Sequence, residues 1–169
     1  ATAARASGAV TACLVNDETS ELAQRCEFVL PMVAGPELSV PATKTFIASL
    51  SALARLAALW TQDHTLAHAL QRLPARLEES AELDWSPLVE SFASAESLVT
   101  IGRAPTLAIA REAALKLKET SNLHAEAFSA AEFLHGPISL VSAEYPILMF
   151  TPTDVAAIGM KHLADDLRA

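Results

Sequence analysis

The densest group of ionisable side chains in this sequence lies in 111–126, REAALKLKETSNLHAE. Glu112, Lys116 and Glu119 are separated by four and three residues, so a helix carries all three on one face. Leu107, Ala110, Ala113 and Leu117 then form its apolar face. A carboxylate beside an ammonium on one helix face is a candidate acid/base cluster. The same spacing also describes a solvated ladder of ion pairs, which adds little to stability. Both readings stay open on these residues alone.

His135 is followed by Gly136 and Pro137, which places its imidazole at a helix end with a rigid turn behind it. It serves there either as a cation at the negative end of a helix dipole, with Gly136 closing the helix, or as a proton shuttle beside a substrate oxygen. The other histidines carry less. His64 and His68 share a helix face, but no third ligand stands at a recognisable spacing and HEXXH is absent, so no metal site is assigned. His124 can bond Glu126 within a loop, and His162 is solvated near Lys161 and Asp165. Cys13 and Cys26 are expected as reduced thiols in apolar surroundings, with no chemistry assigned. No GxGxxG, GxxxxGK[ST] or GxSxG occurs, which removes the signatures of dinucleotide, P-loop and α/β-hydrolase sites.

The elements that must position these residues alternate. Ala1–Ser7 ends a helix stopped by Gly8. Val10–Val15 (VTACLV) suits a strand buried on both faces, Thr19 or Ser20 caps a short helix through Arg25, and Phe28–Met32 is a second short strand. The loop 35–43 (GPELSVPAT) leads to a helix running to about Gln62, whose wide apolar stripe asks for burial on several sides or an interface. A helix over Thr65–Glu79 follows despite Pro74, then a third from Trp85 through Phe92. Ser97–Ile101 is a buried strand, Pro105–Asn122 the long helix, Ser129–Leu134 a short helix after a loop, Tyr145–Thr151 a strand, and a helix follows Pro152 and Thr153. Strands alternating with helices predict α/β layers with parallel sheets.

The 169 residues are 51% hydrophobic and 19% charged with a net charge of −8. That excludes a disordered or low-complexity chain and any general attraction to nucleic acid or an anionic membrane. The apolar run Phe46–Trp60 contains Arg55 and is too short to span a bilayer. No export signal opens the chain, so a cytoplasmic setting is expected. Both ends fall inside elements, which reads as a fragment.

The segment 114–137, ALKLKETSNLHAEAFSAAEFLHGP, resembles the second sugar isomerase (SIS) domain of the tandem SIS family, to which the isomerase domain of glucosamine-6-phosphate synthase and SIS-type glucosamine-6-phosphate deaminases belong. The segment 34–46, AGPELSVPATKTF, looks like the loop entering a long helix in the family's first SIS domain. The resemblance implies three-layer α/β/α, flavodoxin-like domains in two incomplete copies: 1–70 the latter part of the first, 71–95 connecting helices, 96–169 the earlier part of the second. It implies aldose/ketose isomerisation coupled to loss or transfer of an amino group on a hexose 6-phosphate of the glucosamine-6-phosphate/fructose-6-phosphate type. The alternative is a non-enzymatic sugar-phosphate-sensing regulator.

By the same resemblance, Glu119 moves the proton between C1 and C2, Lys116 holds the open-chain sugar and the enediolate, and His135 opens the ring from the partner subunit. Val40 and Ala42 contact the sugar, although a serine is usual at the place of Ala42. No metal or organic cofactor is implied, and the partners are the hexose phosphate and a second copy in a homodimer with a shared active site. The family's Ser-x-Ser-Gly-x-Thr phosphate cradle would precede Ala1, and its C-terminal lysine would follow Ala169. The matching turn of the second copy, 151–154 (TPTD), lacks the serines and glycine of that cradle, so no phosphate ligand is assigned.

Overall fold

A computed structural model describes residues 1–168, which form two compact units divided between Leu83 and Asp84. In the first unit the order is α1 (Thr2–Ala6), β1 (Ala12–Val15), α2 (Glu21–Arg25), β2 (Phe28–Pro31), α3 (Lys44–Thr61), α4 (His64–Gln71) and α5 (Leu73–Ala81). Strands β1 and β2 pair in parallel with Cys13 opposite Val29. The Ser20 hydroxyl caps α2 by accepting from the Ala23 N–H at 3.3 Å.

Two expectations for this unit need correction. Strand β1 is buried on one face only: Cys13 and Val15 are buried with Ala23, while Ala12 is exposed. A two-stranded sheet with one short helix cannot cover both faces. The helix predicted over 65–79 is two helices, because Pro74 cannot continue a preceding helix and instead sits in the first turn of α5. Helix α3 runs as predicted, yet Ala58 is its only buried residue and Leu53, Leu59 and Trp60 are exposed within the unit.

The second unit holds α6 (Ser86–Phe92), β3 (Ser97–Gly102), α7 (Pro105–Ser121), β4 (His124–Ser129), α8 (Ala130–Leu134), a 3-10 turn over Pro137–Leu140, β5 (Ile147–Phe150) and α9 (Ala156–Arg168). Its sheet is parallel in the order β4-β3-β5. Strand β3 is covered on both faces, and its alternation decides which helix it meets. Val99 and Ile101 join Ala130, Phe133, Met160 and Leu163 from α8 and α9. Leu98 faces the other way, onto Ala114 of α7 and Ala125 of β4. Each fully buried aliphatic side chain here contributes roughly 1.5–3 kcal/mol. The one buried hydroxyl of the strand, on Thr100, donates to the Ala110 carbonyl at 2.8 Å and so ties α7 to the sheet.

Strand β4 is the element that sequence periodicity leaves as loop. Its one fully buried position is Ala125, with Ala127, Phe128 and Ser129 half-buried, and alanine is a residue type that strands disfavour. Six consecutive pairings with β3, from Ser97 opposite His124 to Gly102 opposite Ser129, hold it in the sheet regardless. Close approach of α7 to the end of β3 depends on Gly102: a Cβ there would stand 2.3 Å from the Thr106 carbonyl oxygen and 2.6 Å from the Leu107 nitrogen.

Candidate active site

Helix α7 buries Ala110 and Ala114 against the sheet and turns Glu112, Lys116 and Glu119 to its other side. The Lys116 ammonium donates to Glu119 Oε2 at 2.5 Å and lies 3.5 Å from Glu112 Oε1. The side chains of Lys116, Glu119 and Glu112 are 22%, 26% and 21% exposed, while Glu119 with its backbone included is an exposed residue near the end of the helix. Hydrogen bonding to Glu119, reinforced by the charges of both carboxylates against the cost of partial burial, raises the Lys116 pKa above 10.5. Lys116 is therefore a cation at neutral pH with a carboxylate on either side. The helix ends just beyond the group, where Asn122 takes the left-handed conformation at φ 53° and its N–H meets the Leu117 carbonyl.

His135 is placed by the next turn of chain. Ser129 and Glu132 form a reciprocal capping box: the Glu132 N–H donates to the Ser129 hydroxyl and the Ser129 N–H donates to the Glu132 carboxylate, both at 3.2 Å. Those bonds, with a smaller effect of the Arg111 charge, lower the Glu132 pKa. Phe133 anchors α8 in the core against the ring of Phe128, 5.9 Å away. His135 is the C-cap, its N–H bonded to the Glu132 carbonyl at 3.0 Å, and Gly136 takes the positive φ of 154° that follows. The imidazole is exposed, and among the described residues no hydrogen bond joins it to Lys116 or Glu119. The structure thus brings Lys116 and Glu119 into direct contact, adds Glu112, and leaves His135 on its own turn.

Val40 and Ala42 lie in the first unit, on the loop between β2 and α3. Val40 is exposed and Ala42 half-buried. Two residues that the sequence reading passes over shape this loop. Asn16 bonds Ala34 and Gly35, and Glu37 receives four donors from Thr43, Lys44 and Thr45. Those bonds bring the Glu37 pKa down from 4.5 to about 2. Asn16 stands directly after β1, eighteen residues before Ala34, and Glu37 stands inside the proline-rich loop, so no local pattern marks either. The Ser129–Glu132 box, by contrast, is legible as S-x-x-E.

The Asp154 carboxylate accepts the Ala156 N–H at 2.8 Å, so a negative side chain already occupies the start of α9. Among the described residues, no three His, Cys, Asp or Glu side chains gather as metal ligands would. Cys13 and Cys26 are both free thiols. No helix among the described residues is long and apolar enough to cross a membrane.

Residues 91–158 match the SIS domain. The chain is 38% identical over 162 residues to glutamine-fructose-6-phosphate aminotransferase (isomerizing) of Bradyrhizobium diazoefficiens, covering 89% of this chain and 27% of that enzyme. Against the enzyme of the same name from Escherichia coli K12 it is 33% identical, covering 96% of this chain and 28% of that enzyme. Among solved structures, the C-terminal domain of glucosamine-fructose-6-phosphate aminotransferase from Francisella tularensis superposes with a TM-score of 0.89 at 29% identity, covering 98% of this chain and 51% of that one. The chain thus spans little more than a quarter of the curated relatives' length and about half of the Francisella domain. Residues 91–158, from the end of α6 into the start of α9, thus resemble an SIS domain, and similarity to these aminotransferases extends along nearly all of the sequence.

Proposed function

We propose that this chain supplies part of a phosphosugar active site that interconverts aldose and ketose forms of a hexose 6-phosphate, coupled to loss or transfer of an amino group. The observation that carries the reading is the shielded Glu112–Lys116–Glu119 group on α7, with its 2.5 Å contact between Lys116 and Glu119. In the isomerisation, Glu119 takes the proton from C2 of the open-chain aldose. The C–H electron pair becomes the C1–C2 double bond and the carbonyl pair moves to O1, giving an enediolate. The Lys116 ammonium holds the oxygen that gains charge. Glu119 returns the proton to C1, and the ketose forms as a proton moves from the C2 hydroxyl to O1. His135 donates to the ring oxygen when the cyclic sugar opens and recovers that proton from the anomeric hydroxyl. Val40 and Ala42 contact the sugar from their loop.

In the fuller reading the chain holds two incomplete flavodoxin-like copies: 1–70 the latter part of a first, 71–95 connecting helices, 96–169 the earlier part of a second. The parallel pair β1-β2 and the parallel sheet β4-β3-β5 support it. The exposed apolar stripe of α3 supports a homodimer, and in this reading His135 serves the partner's site. The test uses the full-length protein with glucosamine 6-phosphate and fructose 6-phosphate. Glu119→Gln is expected to keep sugar-phosphate binding and lose turnover by roughly 10²–10⁴-fold. Retention of more than about a tenth of wild-type kcat would remove Glu119 from the chemistry. Binding without turnover in the wild type favours the regulator. A mixed dimer of Glu119→Gln and His135→Ala subunits regains activity only if the two residues meet across subunits.

A further inference from the structure

The loop that carries Val40 and Ala42 is fastened at both ends by side chains. At its start, Asn16 donates through Nδ2 to the Gly35 carbonyl at 2.7 Å and accepts the Ala34 N–H through Oδ1 at 2.9 Å. At its end, one oxygen of Glu37 accepts the N–H groups of Thr43 at 3.0 Å and Lys44 at 2.8 Å. The other accepts the Thr45 N–H at 3.1 Å and the Thr45 hydroxyl. The Lys44 ammonium donates back to the Pro36 carbonyl. Thr43, the residue at the cap position of α3, makes no cap bond with its own side chain, so Glu37 performs that task from six residues upstream. The result is a closed ring of backbone from Glu37 to Thr43.

Packing holds little of the ring, since only Pro41 and Ala42 in segment 38–43 are half-buried. Leu38 and Val40 are 96% and 90% exposed, so they have no packing that fixes the backbone. Bonds to a charged acceptor are stronger than those between neutral groups, and four of them converge on this one carboxylate. An ordered loop spares a ligand the entropy of ordering it.

We infer that Glu37 is a positioning residue for sugar recognition, its carboxylate holding segment 38–43 in the conformation that presents Val40 and Ala42 to the sugar. The inference rests on the phosphosugar reading above. Glu37 stays ionised down to about pH 2, so the clasp is in place throughout the neutral range. The carboxylate takes no part in proton transfer. Its loss therefore falls on ground-state binding, which is read in KM rather than kcat.

The test measures KM and kcat for the full-length protein with glucosamine 6-phosphate, alongside melting temperature and far-UV circular dichroism. Glu37→Gln keeps the size but points an N–H₂ donor at groups that are themselves donors. Its KM is expected to rise about tenfold, as befits lost bonds to a charged acceptor, with kcat within about twofold of wild type. Glu37→Asp keeps the charge on a shorter stem and is expected to recover part of that KM. An unchanged KM with a lowered melting temperature would make Glu37 a helix cap and nothing more, and overturns the inference. So does a fall in kcat at constant KM. If Glu37→Gln does not fold, Glu37→Asp decides by the same split. A wild-type protein that neither binds nor converts the sugar phosphate overturns the functional reading itself, and that result is seen before any variant is made.

Discussion

Two ion pairs in this chain share one spacing and nearly one length. Arg76 meets Glu79 on α5 at 2.6 Å, and Lys116 meets Glu119 on α7 at 2.5 Å, each three residues apart. Their surroundings differ. The first pair is 75% and 62% exposed, the second 22% and 26%. Helix α5 buries no residue, whereas α7 buries Ala110 and Ala114 and is bonded to β3 through Thr100. Lys116 also has Glu112 behind it, and Arg76 has no second carboxylate bonded to it among the described residues. Helical periodicity brings opposite charges together in both places. Only packing turns one of the pairs into a shielded, pre-set group in which electrostatic interactions are stronger than in water.

The largest effect that can test this contrast is on turnover. Lys116→Met, which keeps the length of the side chain and removes its charge, is expected to lower kcat of the full-length protein by roughly 10²–10³-fold, the range for loss of one electrostatic stabiliser of a developing oxyanion. Steady-state kinetics on fructose 6-phosphate would check it, and a kcat within a few-fold of wild type would return α7 to the same standing as α5.

The next effect lies at the start of the helix that carries the pair. Gly102→Ala forces a methyl against the Thr106 carbonyl and the Leu107 nitrogen, which are backbone atoms and cannot swing aside. Denaturant unfolding should show a loss of roughly 1–3 kcal/mol, typical of overpacking. If the platform matters, kcat falls as well in the fraction that remains folded.

A smaller effect is read in pH. The Lys116 pKa is raised in the folded chain, so its stabilising contribution is complete below pH 10.5 and is lost as pH rises through the raised value. Glu37 has the opposite sign. Its pKa is depressed from 4.5 to about 2, so its contribution is complete above pH 4.5 and disappears as pH falls toward 2. Melting curves of Lys116→Met should lose slope only at the alkaline end, and those of Glu37→Gln only at the acid end. The smallest effect is the control: Arg76→Met should leave kcat unchanged and move the melting temperature by no more than about 1 °C, because exposed pairs contribute little.

The chemistry-bearing side of α7 could be read without a structure, because positions four and three residues apart on a helix share a face whatever surrounds them. The same locality explains why the Pro105 start of α7, the apolar run 97–101 and the short helix from Ser129 were legible: each is a preference of a short stretch of backbone. Segment 34–46 and segment 114–137 carried the family resemblance by their residue types alone. Strand β4 was not legible, since its alanines give no local reason to extend, and pairing with β3 supplies that reason from across the sheet. The Glu37 clasp was hidden too, because a carboxylate six residues ahead of a helix matters only once the loop folds back. Whether the Lys116 pair is a solvated ladder or a shielded group was equally undecidable from spacing. Side-chain exposure is decided by how the folded chain surrounds a helix, and the spacing of charges along that helix does not carry it.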